Sequence, residues 1–166
     1  MVLEEQAGLI IAPVLGIGTI LGLYELILIH RDENFKGSHW FGHGLHAVFF
    51  MWIALFIIFN TEYFLQISGL ANADWGSFSF IVNSPWAIRI LVGFILNIKM
   101  HATSAAIRGG GIAARGLTEH WSHTIIVTAL AVTSPLYWPL LQPLLPTWLG
   151  GTGTGLILND DVLPLA

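Results

Sequence analysis

The chain has 166 residues, of which 55% are hydrophobic and only 10% charged, and its mean hydropathy is +0.74. A soluble domain carries about 25% charged residues, so the composition points to a single integral membrane domain and excludes an ordinary water-soluble fold. The formal net charge of −4 rests on six basic and ten acidic residues, which leaves no polybasic footprint for nucleic acid. The absence of cysteine excludes disulfides, thiolate zinc sites, cysteine-ligated clusters and cysteine nucleophiles.

Glu4 and Glu5 precede the first apolar stretch, where a secretory signal would carry basic residues. Ala7 to Ile29 is therefore expected to be a retained span, about the 20 residues needed to cross a bilayer. Gly16, Gly18 and Gly22 lie on it at helical spacing, as for close approach of a second helix. After a polar loop, Phe41 to about Ile67 reads as the second span, with Asn60 and Glu62 near its far end. A loop at Ser68 to Ser79 leads to a third span, from Phe80 or Pro85 to about Thr103. Arg89 lies about one turn into it, and a buried arginine needs a partner, for which Glu62 or Asn60 is expected. The Arg108 to Gly116 region is glycine-rich and reads as a flexible loop.

The fourth span starts near His120. Pro135, Pro139, Pro143 and Pro146 fall in its second half, and each interior proline removes a backbone hydrogen bond. The expectation is a helix to about Ser134 followed by a broken segment. The expected fold is all-α: an integral membrane bundle of four transmembrane helices over residues 1–149, the fourth broken by prolines, with an extramembrane tail at 150–166. Arg31, Lys36, Lys99, Arg108 and Arg115 gather at the two loops after spans one and three. The positive-inside rule then puts those loops in the cytoplasm and both termini on the non-cytoplasmic side. Trp40 and Trp121 would mark the inner boundary, and Trp75, Trp86, Trp138 and Trp148 the outer one.

The order of features repeats weakly. Span one ends at His30 and span two opens with His39, Trp40 and His43; span three ends at His101 and span four opens with His120, Trp121 and His123. Two tandem hairpins of the same orientation would produce this order. With or without a repeat, all seven histidines (His30, His39, His43, His46, His101, His120 and His123) fall at one membrane face.

Neutral imidazole is the commonest metal ligand, and a sulfur-free nitrogen and carboxylate set suits iron, copper or zinc. The expected metal set is His39, His43 and His46 with His120 and His123, and Glu25 and Glu119 as carboxylates. Haem b is the alternative cofactor, held by His46 and His101 or by His46 and His123 from facing helices. The plainer alternative is a belt of partly solvated histidines at the membrane boundary. The spacings His39-x-x-x-His43 and His120-x-x-His123 resemble two boxes of the histidine-box membrane desaturases and hydroxylases, and that resemblance would imply a di-iron site on the cytosolic face. The adjacent His-His doublets and the large cytosolic cap of those enzymes have no counterpart in this sequence.

Glu25, in Leu23-Tyr24-Glu25-Leu26, is costly at membrane depth; it is a functional carboxylate or the ion-pair partner of Lys99 or Arg108. Gly109-Gly110-Gly111 lacks the Gly-Lys-Ser/Thr ending of a phosphate loop, and no zinc-protease or dinucleotide fingerprint is present. Three functions follow from these features. The first is a metal- or haem-dependent membrane oxidoreductase acting on a lipid or quinone. The second is a non-catalytic small subunit of a larger membrane complex. The third is a metal-ion or proton transporter or channel. The expected partners are membrane lipid and other membrane subunits or further copies of the chain.

Overall fold

The computed structural model describes residues 8–32, 40–107 and 121–152, with 29–32, 40–44, 101–107 and 149 described by backbone alone. The described residues are helical, with no strand among them. Four long helices form the body: α1 (Ala12–Asp32), α2 (Trp40–Phe59), α5 (Pro85–Ile107) and α6 (Trp121–Leu141). Between α2 and α5 lie two short helices, α3 (Thr61–Ile67) and α4 (Ser79–Val82), with 3-10 turns at Leu70–Asn72 and Gly76–Phe78. Single 3-10 turns at Gln142–Leu144 and Thr147–Leu149 follow α6.

The long helices run alternately up and down. Gly18 faces Trp52, while Gly22, further along α1, faces Val48, nearer the start of α2. The two helices are therefore antiparallel. A Cβ built on Gly22 would stand 2.6 Å from the Val48 Cα, a backbone-to-backbone approach that no side chain permits. Gly16, the third glycine of the stripe, faces open space. Gly93 of α5 receives the Val132 side chain of α6 in the same way. Gly22 precedes His30 by the same interval as Gly93 precedes His101, so the two hairpins share this packing device. The core lies where α2 and α6 face each other between α1 and α5. It contains Met51, Leu55, Ile58, Val127 and Ala131, with Ile17 and Leu21 from α1 and Leu96 and Met100 from α5.

Two boundaries differ from the expectations. The second apolar segment does not run straight to Ile67: it breaks at Asn60, and Thr61–Ile67 turns away by 96°. The Asn60 amide explains the break. Its Oδ1 accepts from the Ile10 N–H at 2.7 Å, and its Nδ2 donates to the Ile10 carbonyl at 3.0 Å and to the Phe56 carbonyl at 3.1 Å. The side chain thus pairs with the chain entering α1 and covers a carbonyl at the end of α2.

The second difference is in α6, which does not break near Ser134 but continues to Leu141 with Pro135 and Pro139 inside it. Pro135 cannot donate to the Ala131 carbonyl. The Ser134 hydroxyl donates to that same carbonyl at 2.7 Å, and the Tyr137 hydroxyl donates to the Leu130 carbonyl one residue earlier at 2.9 Å. The Ser134 hydroxyl replaces the missing backbone donor, and Tyr137 adds a second donor at the neighbouring carbonyl, which lets the helix tolerate the proline.

Among the described residues, one helix is by itself long and apolar enough to cross a membrane, Trp121–Leu144 with its terminal 3-10 turn. Leu45–Phe59 with Thr61–Ile67, and Gly76–Val82 with Pro85–Met100, reach that measure only as pairs bent by 96° and 87°. The apolar stretch Ala12–Leu28 is shorter.

Candidate functional site

The alternation of helix direction has a direct consequence for the ionisable groups. α1 and α5 end, and α2 and α6 begin, at one end of the bundle. The backbone therefore places His30, His43, His46, His101 and His123 at that end. His39, Glu119 and His120 lie outside the described residues, as do the side chains of His30, His43 and His101. Of the expected metal and haem ligands, the structure describes the side chains of Glu25, His46 and His123 alone. No group of three His, Cys, Asp or Glu that could hold a metal ion occurs among the described residues.

What the described residues do form is a polar constellation from three helices. Glu25 of α1 is buried, at 3% exposure. Lys99 of α5, one of the two partners expected for it, lies within range of its charge; Arg108, the other, lies outside the described residues. The Lys99 ammonium stands over the Phe50 ring of α2, with Nζ 3.5 Å from the centroid. An aromatic face attracts a cation, more so when water is scarce. His46, one turn before Phe50 on α2, meets the same ring edge-on at 4.7 Å. Its imidazole is exposed, whereas that of His123 is partly covered. Phe50 therefore lies between an exposed histidine and a half-buried lysine that feels the charge of the buried Glu25.

Further inward, Asn97 of α5 is buried at 8% exposure, and its Nδ2 has no hydrogen-bond partner. Thr124 and Thr128 of α6 are buried as well, and their hydroxyls donate back into their own helix, to the Trp121 and Thr124 carbonyls. Trp52 Nε1 donates to Thr19 Oγ1 at 3.2 Å across the α1–α2 contact. The threonine hydroxyls and the Trp52 N–H are thus satisfied within the bundle, whereas the Asn97 Nδ2 is not.

Arg89 stands at the opposite end and differs from expectation. Its Nε donates to the Ile58 carbonyl of α2 at 3.1 Å, and its guanidinium stacks on Trp86 at 5.0 Å. Glu62 is exposed on α3 and Asn60 is committed to Ile10, so neither is its partner. A backbone carbonyl and a ring face accommodate a guanidinium without burying a second charge. Trp138 also departs from the boundary role: it is buried in the core beside Gly150.

Sequence reasoning did not pick out Phe50 or Asn97. An apolar ring between two ionisable groups leaves no signal in a sequence of this composition. An asparagine in an apolar run is such a signal, and Asn97 shares it with Asn60. Comparison with protein-family models, with curated proteins and with solved structures gives no match.

Proposed function

We propose that the chain is an integral membrane protein that crosses the bilayer four times and binds a divalent transition metal at its histidine-bearing end. The observation that carries this is the convergence of the histidine-bearing turns of all four long helices at one end of the bundle, beside the buried Glu25 and the half-buried Lys99. The four helices have 21, 20, 23 and 21 residues, or about 30 Å each at 1.5 Å per residue, the thickness of a hydrocarbon core. Their outward faces support the membrane location. Ile20 and Ile27, Leu45 and Phe49, Ile90 and Phe94, and Ile125 and Leu140 are large apolar side chains exposed on the bundle surface. Helices that are apolar all round suit lipid. The charge pattern supports a cytoplasmic histidine end and termini on the other side.

Iron, copper or zinc is the metal class that imidazole and carboxylate favour, with His39, His43, His46, His120 and His123 as ligands and Glu119 as a carboxylate. Glu25 is the weaker carboxylate of the set, since its charge already faces Lys99. Haem b on His46 and His101 is the cofactor alternative. The reaction class is oxidation or reduction of a lipid or quinone arriving from the bilayer. A non-catalytic place in a larger membrane complex is favoured by the small connections: the described connection between α2 and α5 holds only short helices and turns.

Elemental analysis and an absorption spectrum of detergent-purified protein test the proposal. Stoichiometric metal that is lost in the His43→Ala, His123→Ala double variant and kept in His30→Ala is the expected result. A Soret band assigns haem instead. Protein with neither metal nor haem would leave the histidines as a boundary belt and favour the complex subunit.

A further inference from the structure

The chain between α2 and α5 does not stand away from the bundle as a simple loop. Thr61–Ile67 leaves the axis of the preceding helix at 96°, and Gly76–Val82 meets the axis of the following one at 87°. Both pieces therefore lie across the end of the bundle opposite the histidines, perpendicular to the long helices.

The faces of α3 divide three ways. At about 100° per residue, Thr61 and Leu65 share one face, Glu62 and Gln66 a second, and Tyr63 and Ile67 a third. Thr61 and Leu65 are buried against the bundle; the other four are exposed. A helix in water next to a protein needs only a buried face and a polar one. A third, apolar face, with Ile67 at 62% exposure, needs a non-aqueous neighbour. The second piece repeats the feature: Phe78 and Phe80 are 62% and 64% exposed among Ser77, Ser79 and Asn83. Tyr63 and Trp75 are held in place, since Tyr63 meets Phe56 edge-on at 6.2 Å and Trp75 Nε1 donates to the Leu70 carbonyl at 2.8 Å.

We infer that Thr61–Ile67 and Gly76–Val82 lie in the boundary between headgroups and acyl chains, with Tyr63, Ile67, Phe78 and Phe80 entering the lipid of the leaflet opposite the histidine end. This rests on the four-span proposal. Lipid is the occupant because the exposed apolar side chains of α5, from Phe94 through Ile90 to Trp86, lead into this segment. The charged residues between Asn60 and Ser84 are Glu62 and Asp74, both acidic, so the attraction is apolar and aromatic and does not call for anionic headgroups. Segments of this kind sit roughly 5–10 Å into the boundary.

The chain lacks cysteine, so single-cysteine variants can carry an environment-sensitive fluorophore in phosphatidylcholine vesicles. Ile67→Cys and Phe80→Cys probes are expected to be blue-shifted, quenched most by a lipid bearing its quencher near the headgroup, and protected from aqueous iodide. An Asn72→Cys probe, on the exposed turn between them, is expected to be open to iodide. A Phe94→Cys probe on the outer face of α5 is the reference, quenched by a lipid labelled deep in its chain. If Phe94→Cys reports deep lipid while Ile67→Cys and Phe80→Cys are as open to iodide as Asn72→Cys, the segment stands in water and the inference fails alone. Probes shielded from both iodide and lipid quenchers would mean a protein cover, and would also overturn it. If Phe94→Cys reports no lipid, the four-span proposal itself falls.

Discussion

Replacing Gly22 with alanine adds one methyl group where α1 and α2 come closest. The new Cβ would stand 2.6 Å from the Val48 Cα, 2.9 Å from its Cγ2 and 3.0 Å from its backbone N. Carbon atoms rest at about 3.5–4.0 Å, so the helices must part by about 1 Å at this level. Two of the three atoms met are backbone and cannot rotate away. Overpacking of this kind costs about 1–3 kcal/mol, while alanine gains up to about 1 kcal/mol over glycine in a helix. The net expectation for Gly22→Ala is a loss of about 1 kcal/mol, within roughly 0–2 kcal/mol when the full alanine gain is subtracted. Gly16→Ala is the internal control: a Cβ there meets nothing within 4 Å, so only the helix preference remains, and stability is unchanged or slightly raised. Gly18→Ala falls between them, because its Cβ meets the Trp52 side chain, which can swing aside at the expense of its bond to Thr19. Unfolding of the purified protein in mixed micelles of mild detergent and dodecyl sulfate, followed by circular dichroism, ranks the three. Equal effects at positions 16 and 22 would refute the close approach.

Three further outcomes are expected. Ser134→Ala frees the Ala131 carbonyl and costs about 1 kcal/mol, but much less in a Pro135→Ala background, where residue 135 again supplies an N–H; additivity in that double-mutant cycle would show that the hydroxyl does not stand in for the missing donor. Arg89→Ala destabilises equally, within about 0.5 kcal/mol, whether or not Glu62 is also alanine, because the guanidinium bonds to the Ile58 carbonyl and Trp86; a clear coupling would restore the ion pair. Lys99→Met leaves the Glu25 carboxylate buried without its countercharge and destabilises by about 1–2 kcal/mol, less than a fully buried pair would because Lys99 is only half-buried, and adding Glu25→Gln recovers most of it; no recovery in the same unfolding assay would mean that Lys99 acts through Phe50 alone.

The ends of the helices show how far local sequence carries. Hydropathy locates the apolar stretches, but it does not register a single asparagine whose amide bonds to Ile10, fifty residues earlier in the chain. The end of α2 and the turn into α3 are therefore settled by a long-range contact. The prolines of α6 are the converse. Their local rule predicts a break, and Ser134 and Tyr137, the neighbours able to offset it, are ordinary residues whose hydroxyls matter only once the helix has formed.

Composition and the alternation of apolar stretches with polar connections determined the apolar character and the helical fold, because both are sums over many residues. The order of those stretches also determined that the histidine-bearing turns meet at one end, since helices joined by short connections must reverse direction. Which residues touch was a matter for the tertiary structure. That Gly22 rather than Gly16 faces α2, that Arg89 bonds to a carbonyl rather than to Glu62, and that Lys99 stands over Phe50 within range of the Glu25 charge depend on how each helix is rotated about its axis. Rotation is set by packing, and helices as uniformly apolar as these carry too little amphipathic pattern for the sequence to fix it.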